Sequence, residues 1–185
     1  TEAVRFQDLR REFLVMAATL SSNYGIYGPA FELCVNTPIR GKEEYLDSEK
    51  YEIKRWDWDA SGNIKGLITR VNKIRRDNLA LQMTRNIRFC DIDNDRLLAY
   101  YKATGDLSNV IIVIVNLDPQ FTQSGWLQIP TDELGIDKDK PYVAHDLLTD
   151  QKYTWRGGRS LAFSREWYPE TSVRRQGVAY RNQTR

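Results

Sequence analysis

At 185 residues the chain is long enough for one domain with a substantial core, or for one domain and part of a second. Its 27 basic and 25 acidic residues leave a net charge of +2, so bulk electrostatics ask for neither nucleic acid nor a membrane as partner. No apolar run approaches the roughly 20 residues that span a bilayer, and the N-terminus lacks the pattern of a secretory leader.

In chain order, Leu9, Phe13, Met16, Ala17 and Leu20 recur at helical spacing, with Arg5, Asp8, Arg11 and Glu12 off that stripe. This predicts an amphipathic helix over 4–20 that buries the apolar stripe. Residues 21–54 follow, with three glycines, two prolines, four tyrosines and a dense run of charge. Aromatic and charged side chains on a connection between rigid elements compose either a ligand-facing surface or an ordinary solvated loop. Within it, glycine and proline argue against a helix over Tyr24–Leu33, and the aromatics favour a short extended segment.

In the tetrad Trp56, Asp57, Trp58, Asp59, alternation would place both indoles on one side of an extended segment. That is either a sugar-stacking platform or a pair of rings packed on neighbouring elements, with Asp59 and Ser61 at a helix start. A second helix is predicted after Gly62, burying Ile64, Leu67, Ile68, Val71 and Ile74. Its basic last turn, KIRR, suits the negative end of the helix dipole.

From Met83 onward short runs rich in β-branched and aromatic residues alternate with turn-forming clusters. Strands are predicted at Ile87–Cys90, Leu97–Lys102, Val110–Val115, Gly125–Ile129, Tyr142–Asp146, Lys152–Trp155 and Ser160–Phe163. The run VIIVIV, apolar at every position, reads as a central strand buried on both faces. The chain therefore divides near Gln82 into a helix, loop and helix portion, residues 1–82, and an antiparallel β-sandwich, residues 83–185.

Cys34 and Cys90 are far apart with no metal-ligand spacing, and read as reduced thiols of a cytoplasmic protein. His145, the sole histidine, reads as a hydrogen-bonded side chain in or beside a strand. Ten tyrosines and five tryptophans exceed what such a core needs, and rings at a surface would suit sugar binding.

Two helices flanking one extended segment cannot close a core alone, so residues 1–82 look like the end of a larger α/β layer. The first residue, Thr1, is not methionine, in keeping with a piece of something longer. The helix followed by YGIYGPAFEL resembles the last helix, strand and turn of the (β/α)8 barrel in the α-amylase superfamily, and the strands resemble that superfamily's C-terminal sandwich. LSSNYGIYGPAFEL, GKEEYLDSEKYEIK, WDWD, IRRDNLALQ, NDRLLAYYK, VNLDP and HDLLT together resemble the bacterial maltosyltransferases that extend α-1,4-glucan from α-maltose 1-phosphate. Val35 and the tail from Arg165 onward depart from that pattern.

The resemblance implies a retaining maltosyl transfer without metal or redox cofactor, carried out by a homodimeric parent. Such chemistry needs two carboxylates roughly 5 Å apart. In the superfamily these lie on earlier barrel strands, so no catalytic residue is assigned here. Glu43, Glu44, Asp47, Glu49 and Glu52, punctuated by Lys42 and Lys50, read as a solvated face. The resemblance does assign Lys50 and Tyr51 to the maltosyl part of the donor. An α-amylase or branching-type glycosidase, and a non-catalytic carbohydrate-binding module, are the rival functions.

Overall fold

The computed structural model describes residues 10–26, 28–35, 37–42, 44, 46, 53–118, 120–163, 166–167, 173–174 and 178–182. Its helices are α1 (Arg10–Leu20), the single turn α2 (Pro29–Glu32) and α3 (Lys65–Asp77), followed by a 3₁₀ turn at Leu79–Gln82. The strands are β1 (Ile87–Phe89), β2 (Leu97–Ala103), β3 (Val110–Asn116), β4 (Ser124–Gln128), β5 (Pro141–Asp146), β6 (Lys152–Arg156) and β7 (Arg159–Phe163). Three more follow, β8 (Glu166–Trp167), β9 (Val173–Arg174) and β10 (Val178–Asn182). All pairings are antiparallel: a six-stranded sheet in the order β1-β2-β3-β10-β5-β6, and two-stranded pairs β4-β7 and β8-β9.

The six-stranded sheet is the middle of three layers, and the period of two along its strands sorts residues between them. On one face Ala99, Tyr101, Ile112 and Ile114 pack with Leu127 of β4 and Ala162 of β7. On the other, Tyr100, Ile111, Val113 and Val115 meet Val15 and Ala18 of α1, Val71 and Ile74 of α3, and Ala80 and Leu81. With both faces covered, all seven residues of β3 are buried, as the VIIVIV run predicts. All seven predicted strands form within two residues of their expected ends.

Four features depart from the sequence reading. Strand β10 was not anticipated, yet it lies centrally between β3 and β5, with Ala179 opposite Val113 and Arg181 opposite His145. Among the described residues of 24–33 there is no strand; α2 occupies Pro29–Glu32, because proline's fixed φ suits the first helical turn and its missing N–H costs nothing there. In α1 the buried side is Leu14, Val15 and Ala18 with Glu12 and Thr19, whereas Phe13 is 50% exposed and Ala17 is exposed. A helix apolar nearly all round from Phe13 to Ala18 gives periodicity no unique inner face. Finally, α3 opens at Lys65 after Ile64 rather than on Asp59 or Ser61; Asn63 Oδ1 accepts the Lys65 N–H at 3.2 Å. Of its predicted stripe, Ile64, Ile68, Val71 and Ile74 are buried and Leu67 is partly buried.

Polar groups join the helix layer to the sheet. Arg75, from the basic last turn of α3, donates to the carbonyls of Ala18, of Ser21 at 3.2 Å and of Ser22 at 2.5 Å. It therefore complements the C-terminus of α1, while Gln82 Nε2 reaches the Arg75 and Arg76 carbonyls at the end of α3. Buried Asn109 accepts from Ala80 N–H at 2.9 Å and donates to Asn78 Oδ1 at 2.9 Å, and Asn78 donates to the Ile74 carbonyl at 2.7 Å. The Thr19 and Tyr100 hydroxyls share a hydrogen bond of 2.6 Å across the layers.

Candidate functional site

Between α1 and α3 the chain makes an irregular lobe held at both ends. Tyr24 bonds Asn72 through its hydroxyl and carries the Arg75 guanidinium over its ring at 4.9 Å, so the exit from α1 is fixed against α3. Burial, its largest cause, raises the pKa of this phenol. The turn α2 is tied to the start of α3 by the Ile64 N–H to Glu32 carbonyl bond of 2.8 Å. Phe31, Cys34, Ile26 and Tyr24 pack on Leu14, Ile64 and Ile68 beneath it. From Thr37 to Leu46 the lobe folds back on itself, Leu46 N–H reaching the Thr37 carbonyl at 2.7 Å and Ile39 N–H the Glu44 carbonyl at 2.8 Å. Glu44 is exposed.

Lys50 and Tyr51, the expected donor contacts, lie outside the described residues, as do Glu43, Asp47, Glu49 and Glu52. What is described is the segment that follows them. Lys54 Nζ lies 5.5 Å from the Trp56 ring, and Lys65 Nζ lies 5.8 Å from the Trp58 ring and donates to the Trp58 carbonyl. Trp58 is 43% exposed, so its indole is not packed into a core. The acids shape this turn rather than the helix start: Asp57 Oδ1 accepts the Asp59 N–H at 3.0 Å, and Asp59 lies 3.8 Å from Lys65.

A second aromatic site stands on the outer face of β4-β7. Along β4, Gly125 and Leu127 are buried and Ser124, Trp126 and Gln128 are exposed. Gly125 is required by close approach, since a Cβ there would meet Ile92 at 3.0 Å and Leu97 at 3.1 Å. The inner turn 91–93 runs along β4: Ile92 bridges Leu127, and Gln128 N–H reaches the Asp91 carbonyl at 2.8 Å. Asp93 Oδ1 accepts the Trp126 backbone N–H at 2.6 Å, and Asp93 N–H donates to the Trp126 carbonyl at 3.3 Å. Arg159, on β7 opposite Gln128, sets its guanidinium 5.0 Å from the Trp126 ring centre and 3.2 Å from Asp93 Oδ2. The sequence reading singled out WDWD and missed Trp126; alternation in SGWLQ is the signal that turns this ring outward.

The remaining reactive groups are held in structural roles. Cys34 and Cys90 are both free thiols. Burial first, then Asp91 and Glu133, push the Cys90 thiol up to about 11, far from a nucleophile's range. Tyr101 donates to Glu133 at 2.6 Å. His145 shares a 2.7 Å hydrogen bond with Asp150 beside β5, as expected, and Arg70 of α3 approaches the same carboxylate at 3.9 Å while donating to the Leu147 carbonyl. Among the described residues no group of three or more His, Cys, Asp or Glu is placed to hold a metal ion, and no helix is long and apolar enough to cross a membrane.

An antiparallel sandwich carrying a helical layer on one face is a fold shared with α-amylase-type proteins. A maltogenic α-amylase, AmyB from Thermotoga neapolitana, superposes with a TM-score of 0.59 over 95% of this chain and 36% of that one, at 14% identity, a likeness of fold alone. Residues 89–165 match the family model described as GLGE, C-terminal. The chain is 57% identical over 144 residues to the α-1,4-glucan:maltose-1-phosphate maltosyltransferase of Methylacidiphilum infernorum, covering 77% of this chain and 21% of that protein. It is 53% identical over 144 residues to the protein of the same name from Rhodospirillum rubrum, with 78% and 21% covered. The chain is therefore a homologue of these maltosyltransferases, and spans about a fifth of the length of the curated relatives it matches.

Proposed function

We propose that the chain is part of a maltosyltransferase that moves a maltosyl unit from α-maltose 1-phosphate to the end of an α-1,4-glucan by double displacement. Residues 1–82 complete a (β/α)8 barrel, residues 83–185 form its companion sandwich, and the two carboxylates of the reaction come from elsewhere in the longer protein. That parent is a cytoplasmic homodimer without metal or redox cofactor, and the chain alone neither transfers nor hydrolyses glycosyl groups. Lys50 and Tyr51 contact the maltosyl part of the donor, the ammonium donating to sugar hydroxyls and the phenol offering a hydroxyl and a ring face.

The observation that carries this reading is the 57% identity, over 144 residues, to a protein of that name. The two-sided α1 supports it too: Val15 and Ala18 pack on the sheet, Leu14 packs on α3 and the lobe, and Phe13 and Ala17 face away, as a helix between a sandwich and a barrel requires. The test is Lys50→Ala in the full-length parent. A charge-assisted hydrogen bond to a sugar is worth roughly 1.5 to 3 kcal/mol, so kcat/KM for α-maltose 1-phosphate falls by about tenfold to a hundredfold. Tyr51→Phe, which removes only the hydroxyl, costs less. Unchanged donor kinetics in Lys50→Ala would refute the assignment.

A further inference from the structure

We propose that the outer face of β4-β7 is a surface binding site for neutral α-1,4-glucan chains, built on Trp126 with Asp93 and Arg159. The choice of glucan rests on the functional reading above; the site itself rests on its geometry. Trp126 is 43% exposed although it stands on a paired strand, and its backbone N–H and carbonyl are both bonded to Asp93. The ring is thus presented by a fixed backbone on both strand edges, by the turn at 91–93 on one side and β7 on the other. Little conformational freedom remains to be lost when a ligand stacks on it.

The polar groups around the ring select the ligand. Arg159 and Asp93 sit 3.2 Å apart and about half exposed, so their charges compensate locally and the face favours neither an anion nor a cation. What remains is an aromatic plane with the Arg159 guanidinium over one face, 5.0 Å from the ring centre, and a carboxylate acceptor next to that guanidinium. That set matches a pyranose, whose C–H face stacks on the ring and whose neighbouring hydroxyls both donate and accept. Along β4 the outward neighbours of Trp126 are Ser124 and Gln128, so the strand offers one ring between hydrogen-bonding side chains rather than a row of rings. One ring suits a curved α-1,4 chain, which presents one sugar face and then turns away; a flat β-1,4 ribbon gains from several rings in line. The site also stays accessible by layer order, since β4-β7 covers the face of the six-stranded sheet opposite α1 and α3.

The test follows migration of the 185-residue chain in native gels containing soluble amylose, with maltoheptaose and cellohexaose as competitors. The chain is retarded, maltoheptaose relieves the retardation and cellohexaose does not. Trp126→Ala weakens retention by about tenfold or more, Trp126→Phe recovers most of it, and Arg159→Ala gives an intermediate loss. In the unsubstituted chain the Trp126 indole N–H resonance shifts on addition of maltoheptaose, a readout that needs no variant to fold. The proposal is overturned by an unretarded chain, by a folded Trp126→Ala that binds amylose as before, by an unmoved indole resonance, or by cellohexaose competing as well as maltoheptaose. No donor enters these measurements, so they fail or succeed independently of the Lys50→Ala kinetics.

Discussion

Lys102 and Tyr100 stand two residues apart on β2, both fully buried, and their protonation pulls stability in opposite directions. Lys102 Nζ has no hydrogen-bond partner, and burial, then the nearby charge of Arg75, lowers its pKa from 10.5. Between the lowered value and 10.5 the unfolded chain binds a proton that the folded chain has shed, so stability rises with pH across that window. Lys102→Met, which keeps the stem and removes the stranded amine, is expected to raise stability at pH 7 by about 1 to 3 kcal/mol, with the gain shrinking as pH approaches 10.5. Equilibrium denaturation of both chains along a pH series measures this, and a destabilised methionine variant would mean that the amine has a partner. Tyr100 behaves inversely: burial pushes its phenol up to about 12, against a small lowering by Thr19. Its contribution is complete below pH 10 and is lost as pH climbs from 10 to 12, on the order of 2 to 3 kcal/mol. Tyr100→Phe should therefore flatten the alkaline fall in stability, at a cost near neutrality of about 1 kcal/mol for the lost bond to Thr19. An equally steep fall in the phenylalanine variant would assign the alkaline transition to other groups.

Among elements, the junction between α1 and α3 depends on one side chain. Arg75→Met removes the donors to Ala18, Ser21 and Ser22 and the stack on Tyr24, and is expected to cost about 1.5 to 3 kcal/mol and to speed amide exchange in the last turn of α1. Arg76→Met next to it, exposed, should stay within about 0.5 kcal/mol. Equal effects would show that charge at the end of α3, not the cap on α1, is what matters. The basic turn was visible in the sequence, but its service to a different helix was not, because a cap across 50-odd residues is a tertiary fact. The same limit governs the rest. Strands β1 to β7 and the buried stripe of α3 were legible because one face of each, or both faces of β3, is apolar at a fixed period. The inner face of α1 was not, since Phe13 and Leu14 are equally apolar and only packing against α3 and the lobe decides between them. Nor was β10, whose five residues take a central place through partners in β3 and β5 rather than through an apolar run of their own. The assignment of Lys50 and Tyr51 as donor contacts, a proposal, came from family motifs alone. Trp126 was legible by alternation, yet its pairing with Asp93 and Arg159 needed residues 33 positions apart in sequence on each side to be brought together.

At the scale of the molecule, the boundary near Gln82 divides the sequence but not the core. Val15, Ala18, Val71, Ile74, Ala80 and Leu81 from before that point share one buried cluster with Tyr100, Ile111, Val113 and Val115 from after it. A sandwich cut free at Met83 would turn four buried side chains of β2 and β3 toward water, at roughly 1.5 to 3 kcal/mol each, or on the order of 6 to 12 kcal/mol together. That is as large as the whole stability of an ordinary domain. It would also strand Asn109, whose partners are Ala80 and Asn78. Residues 83–185 alone are therefore expected to bind a hydrophobic dye, to self-associate and to lack a cooperative thermal transition, whereas the full chain unfolds helices and sheet in one step. Calorimetry and dye binding on the two chains separate the cases. A dye-silent 83–185 that melts cooperatively within a few degrees of the full chain would show that the sandwich is a self-sufficient module, with the helices resting on it rather than completing it.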